Sequence, residues 1–173
     1  MKKQVLNIFA IIALGAAVVG CKNDKKTETT EAKEVETVMA EETFKAIPAE
    51  SMVSWEANKI VGGHTGTIHL SNGVAKVKGD QLVGGNFIFD ISTLKNTDIE
   101  KEEGRTSLEG HLKSADFFDA EKFPNAAFEI TSVDGNNVSG NLMMKGIKKN
   151  VTVPVNVDIN GDSMTITSDE FTI

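Results

Sequence analysis

Cys21, the histidines His64, His69 and His111, and a spread of carboxylates are the side chains of this 173-residue chain whose types could do chemistry. Their spacing argues against most of it. His64 and His69 lie an odd number of residues apart, so on one strand they point to opposite faces and cannot share a metal ion without a bulge between them. His111 has Asp116 and Asp119 near it in sequence, but not at a fixed ligand spacing. The run Gly62-Gly63-His64-Thr65-Gly66 lacks the Lys-Ser/Thr that follows the glycines of a phosphate loop. No nucleophile elbow stands out. The expectation is no metal, no cofactor and no enzyme activity, with a hydrolase that pairs His64 with an acid as the catalytic alternative. His64 reads better as a polar residue in a mostly apolar interior, where it could meet a ligand head group.

Cys21 has a different use. Met1-Lys2-Lys3 gives a positive start, and Val5 to Val19 is apolar apart from Asn7. That run is short for a spanning helix and suits a secretory leader. It ends Val18-Val19-Gly20-Cys21, which resembles a bacterial lipoprotein signal: Gly20 suits the peptidase cleft and Cys21 supplies the thiol that takes the lipid. Cys21 is the only cysteine, so no intramolecular disulfide forms. Residues 22–45 are rich in Lys, Glu and Thr with no aromatic before Phe44, and bury too little apolar surface to offset ordering. The expected organisation is a leader over 1–20, a flexible acidic tether over 21–45 and one domain over 46–173. The expected location is the bacterial cell envelope, lipid-anchored at Cys21. Lys22 rather than Asp after the cysteine points to the outer membrane, facing periplasm or surface.

Composition narrows the partners. The net charge is −7, and without Lys2 and Lys3 the chain carries 16 basic against 25 acidic residues. Such a domain is a poor polyanion binder, which excludes nucleic acid. A hydrophobic content of 40% is enough for one core.

From Ser51 the apolar period is two. Val53, Trp55 and Ala57 alternate with Ser54, Glu56 and Asn58, and Ile68 shares a face with His64 and Gly66. Asn72-Gly73 predicts a hairpin turn, and Gly84-Gly85 a bulge or sharp bend within a strand over 81–91 that carries Phe87, Phe89 and Ile91 on one face. The clearest strand is 149–159, where Val151, Val153 and Val155 face one way and Pro154 marks an edge or bulge. Met164 to Ile173 alternates up to the last residue, and an incomplete C-terminus is expected there. Between the strands, Leu108, Leu112, Ala115 and Phe118 recur at helical spacing, so a helix is expected over about 105–118. Pro124 then forces Phe123 extended and starts the strand carrying Phe128 and Ile130.

Many short strands, hairpin turns and one short helical insert predict an all-β fold, an antiparallel barrel or sandwich. Two stretches decide between them by resemblance. His111-Leu112-Lys113-Ser114-Ala115-Asp116-Phe117-Phe118-Asp119-Ala120-Glu121-Lys122-Phe123-Pro124 and the run from Gly140 through Lys145-Gly146 to Pro154 resemble signatures of the YceI-like family. Trp55, Lys59, Gly62, His64 and Gly66 fit the same order. The resemblance implies an antiparallel lipocalin-like β-barrel around a polyisoprenoid or similar long-chain lipid. The ligand-lining candidates are then His64, Ile68, Phe87, Phe89, Ile91, Leu112, Phe117, Phe128, Ile130, Leu142, Met144, Val151, Val153 and Val155. The implied partners are that lipid and the membrane reached through Cys21, with a homodimer as a further expectation. A filled core acting through its outer surface is the alternative, since small barrels can be plugged by their own side chains.

Overall fold

The computed structural model describes residues 5–15, 27–58 and 62–173, and of 5–15 the backbone alone. In chain order the elements are β1 (Val5–Gly15), β2 (Thr30–Glu31), β3 (Glu42–Ala46), β4 (Met52–Asn58), β5 (Gly63–Lys78), β6 (Gln81–Asp90), β7 (Lys95–Asn96), α1 (Glu102–Lys113), β8 (Asn125–Asp134), β9 (Asn137–Met144), β10 (Ile147–Asn160), β11 (Ser163–Ser168) and β12 (Phe171–Thr172). The fold is an antiparallel barrel with one helical insert. β4, β5, β6, β8, β9, β10 and β11 each pair antiparallel with the next. β1 lies between β11 and β4, parallel to both. The residues expected as a leader thus contribute a strand to the wall.

Alternation along these strands sends one side chain in two inward, which is why the sheet curls around an apolar core. One cluster holds Phe44, Leu70, Val77, Phe87, Ile130, Val151, Val153 and Met164. A second, at the helix end of the barrel, holds Trp55, Ile68, Ile91, Leu94, Leu112 and Ala126.

Several expectations are corrected. Asn72-Gly73 is not a hairpin. β5 runs through it, because β6 pairs on both sides (Leu70 with Phe89, Asn72 with Ile88) and the odd residue is absorbed as a bulge. Gly73 lies against β6 so closely that a Cβ there would stand 2.8 Å from the Phe87 ring. The chain turns instead at Gly79, where φ is +58°. A second bulge skips Val83, just ahead of the glycine pair expected to make it. The helix ends at Lys113 rather than Phe118. Ser114 caps it, donating its N–H to the His111 carbonyl, and Asp119 at φ +52° turns the chain into a compact corner.

The expected free tether is also corrected over its described part. Residues 27–45 are strapped to the barrel. Thr30 and Glu31 pair with Asn150 and Lys149, the Lys33 N–H donates to Asn141 Oδ1 (2.9 Å) and the Lys33 carbonyl accepts from Asn141 Nδ2 (2.7 Å). Further on, the Glu36 N–H donates to the Thr131 carbonyl at 3.0 Å. Below the strap, Asn150 Nδ2 donates to both Thr131 Oγ1 and Asn141 Oδ1. Ahead of Phe44, which enters the core from β3, the segment has little apolar surface to bury, as its composition requires. Backbone hydrogen bonds to an outward polar row on β8, β9 and β10 hold it instead. A pattern search for apolar residues does not detect that route.

An apolar interior as candidate ligand site

Two chambers lie inside the barrel. The inner one, about 80 Å³, is walled by Phe87, Phe128 and Ile130 on one side and Val151, Val153 and Val155 on the other. The outer one, about 50 Å³, lies under the helix and is walled by Ile68, Ile91, Leu112, Phe117 and Met144. Phe89 and Leu142 border both. Outside them is a vestibule of about 470 Å³ between the corner after α1 and the β9–β10 turn. Leu142 borders the vestibule as well, as do Phe117, Phe118 and Met144 from the outer chamber and Val151 from the inner one. The three spaces are thus separate but adjacent, and Leu142 stands in the wall of each, so they join into one apolar route only where the side chains at that junction part.

The structure brings all the expected lining residues to these walls except His64. That residue has the inward parity of Ile68 but lies at the lip of the barrel, where its Nδ1 is 3.0 Å from Asp98 Oδ2. It borders neither chamber, so the expectation that it meets a ligand there is corrected. The strand had run out of the barrel before reaching it. Asp98 also accepts from the Thr65 N–H at 2.9 Å and from Asn96 Nδ2. Burial alone would raise the Asp98 carboxyl, but these hydrogen bonds and the His64 charge outweigh it and bring the pKa down to about 2. Asn96 in turn donates its side-chain N–H to the Thr65 carbonyl and accepts from the Ile99 N–H. The cluster is a clasp that fixes the loop between β7 and α1.

Glu109 extends that clasp into the helix. It is 8% exposed, accepts from the Asn96 N–H at 3.0 Å and from Lys95 Nζ at 3.1 Å. Burial raises its carboxyl and these two donors, with the Lys95 and Lys113 charges, lower it further, so the net direction is down. Glu109 is a buried acid that composition alone would have put on the solvent face. It pins α1 to β7 and so holds Leu112 over the outer chamber. The corner beyond is held by Lys145, whose Nζ donates to the Ala115 carbonyl (2.9 Å) and the Phe117 carbonyl (2.8 Å). Phe117 and Phe118 meet edge-on at 5.0 Å between centroids.

Sequence reasoning missed part of the wall. Val53 borders both chambers, Trp55 and Leu94 the outer one, and Leu82, Val138, Ile166 and Phe171 the inner one. Val53 and Trp55 were legible as an alternating strand. Leu82 and Val138 stand next to turns, where alternation is too short to assign a face. Two wall residues carry buried polar atoms without a hydrogen-bond partner, Trp55 Nε1 and Ser168 Oγ. Cys21, on which a lipid is expected, lies outside the described residues. Among the described residues no group of three or more His, Cys, Asp or Glu is placed to hold a metal ion.

Comparison with known proteins adds the following. The family model of the YceI-like domain matches residues 44–173. The UPF0312 protein SA2479 of Staphylococcus aureus strain N315 is 41% identical over 102 residues, covering 52% of this chain and 56% of the relative. The UPF0312 protein SAB2563 of S. aureus strain bovine RF122 / ET3-1 is 40% identical over the same length. The chain spans about half the length of the curated relatives it matches. Among solved structures, Burkholderia cenocepacia BcnA is 25% identical with a TM-score of 0.44, covering 57% of this chain and 66% of that one. The Campylobacter jejuni YCEI protein is 20% identical with a TM-score of 0.39, covering 54% and 57%.

Proposed function

The chain belongs to the YceI-like domain family, and from that premise we propose that it binds a polyisoprenoid or similar long-chain amphiphile at the bacterial cell envelope, anchored through a lipid on Cys21. The observation that carries this reading is the apolar route from the vestibule past Leu142 into both chambers. Removing a tail from water along that route contributes about 25 cal/mol per Å² buried. Trp55 Nε1 and Ser168 Oγ, both without partners, are the wall atoms to which a ligand oxygen would restore a hydrogen bond. The role is binding rather than turnover, and no cofactor takes part. The His64–Asp98 pair, the nearest thing to a catalytic dyad, serves the loop clasp and faces neither chamber.

Size sets the condition for binding. A water-sized site needs about 10–15 Å³ of cavity measured this way, so the inner chamber at 80 Å³ takes roughly five to eight carbon-sized groups. That is about one isoprene unit. Drug-sized ligands usually occupy about 300–1,000 Å³, so a long tail enters only as the side chains at the junction part. The same small volumes favour the alternative of a filled core that acts through its outer surface. Native mass spectrometry of the leaderless chain, purified without detergent and offered a polyprenol, separates the two. A mass adduct that extraction identifies as the lipid supports the carrier. A mass that stays unshifted leaves the filled core.

A further inference from the structure

We infer that the rim of the vestibule is a membrane-docking surface, turned towards the bilayer by the strap. This rests on the reading of Cys21 as the lipid-bearing residue. The strap begins at the vestibule. Thr29 lines the vestibule itself, and Thr30 and Glu31 pair with Asn150 and Lys149 on its β10 lip, a pairing that does not involve residues 1–20. Eight residue steps separate Cys21 from Thr29, a reach of at most about 29 Å at ~3.3–3.6 Å per residue. The opposite end of the barrel lies at the far end of β10, whose 14 residues span roughly 45 Å at ~3.3 Å each. A leash that short, leaving from the mouth, cannot present the far end to the membrane that holds the anchor.

The rim is built for that neighbour. Ile147 at the β9–β10 turn is 63% exposed and Phe117 on the corner is 38% exposed, one on each lip of the vestibule. Of the cations beside them, Lys149 pairs with Glu31 and Lys148 with Glu129, Lys145 is held on the Ala115 and Phe117 carbonyls, and Asp116 adds one carboxylate to the rim. Two apolar side chains in a rim of balanced charge suit the boundary between head groups and acyl chains, where an apolar face sinks about 5–10 Å. Docking there sets the mouth of the apolar route against the phase from which a long-chain lipid would come. Because two of the rim cations are paired and Asp116 offsets Lys145, the rim is no basic patch, and its contact should respond little to salt.

The test uses the full chain, acylated in its host and reconstituted into phosphatidylethanolamine–phosphatidylglycerol vesicles. Ile147→Cys or Asn160→Cys supplies a single free thiol for an environment-sensitive fluorophore, and the mass of the chain reports acylation of Cys21. The expected result is blue-shifted emission at position 147, with quenching by nitroxide-labelled lipids several-fold stronger than at 160 and unchanged in high salt. Equal, weak quenching at both positions in an acylated chain overturns the orientation and leaves the lipid-carrier reading standing. A chain that is not acylated at Cys21 overturns the orientation together with the anchor. A blue shift at 147 that is already present in detergent-free solution without vesicles assigns the rim to a second copy of the chain and overturns the membrane contact.

Discussion

Replacing Leu142 with Trp should close the inner chamber to ligand while leaving the barrel folded. Leu142 is half-buried and borders both chambers and the vestibule, so an indole placed there fills the junction instead of straining a closed core. Counting the smaller number of about five carbon groups that the inner chamber admits, burial at about 0.8 kcal/mol each contributes about 4 kcal/mol in full. At half that value the loss is about 2 kcal/mol, or roughly thirtyfold in Kd, since 1.4 kcal/mol is tenfold. Overpacking a full core costs about 1–3 kcal/mol, and a partly open site should fall at the low end of that range. The assay is displacement of a fluorescent long-chain probe by a polyprenol, read beside the melting temperature, with Leu142→Ala as the enlarging control. An unchanged affinity in a Leu142→Trp protein that melts normally would refute the route through the junction.

Asn141→Leu should release the strap: it strands the Lys33 N–H and carbonyl and the Asn150 amide, costing about 1–3 kcal/mol, and hydrogen exchange at Lys33 and Glu36 should quicken while the strands stay protected. Gly140→Ala puts a Cβ within 2.3–2.8 Å of the Phe128 ring, so the ring must shift on the inner-chamber wall; destabilisation of about 1–3 kcal/mol is expected by thermal melting, with altered probe binding. Stability should also fall in acid. The Asp98 pKa is about 2 against an ordinary 3.8, so its contribution is present above the ordinary value and is lost as pH drops from 3.8 towards 2, with Glu109 acting in the same sense. Melting temperatures across that interval should decline less in Asp98→Ala than in the parent, and an identical acid slope in both would remove Asp98 from the account.

What could be read from the chain was its alternation. Val151, Val153 and Val155 face inward where their period of two placed them, because a strand has only two faces and the interior takes the apolar one. Features that depend on a partner strand were illegible. Asn72-Gly73 carries a strong local turn signal, yet pairing of β5 with β6 along its whole length overrides it. His64 kept the right parity at a position where the strand leaves the barrel. The strap escaped notice because its docking uses backbone groups, the Asn141 side chain and the Thr131 carbonyl about a hundred residues further along the chain. Glu109 was hidden for a related reason, since the Asn96 N–H that makes its burial tolerable comes from another element.

Strand parity gives the position of β1 a further meaning. The seven strands of alternating direction, β4, β5, β6, β8, β9, β10 and β11, are an odd number, so the two that bound the series point the same way. β1 joins them by running with both, which makes two parallel seams in a wall that is otherwise antiparallel. If residues 1–20 are cut away, both seams open at once and leave two like-directed edges of unpaired N–H and C=O groups. A single strand of opposite direction would pair antiparallel with both and bring the ring to an even count. Without one, the processed chain would offer edges on which another copy could add. Were the chain exported and that leader removed, its loss and the final closure of the barrel would be coupled steps.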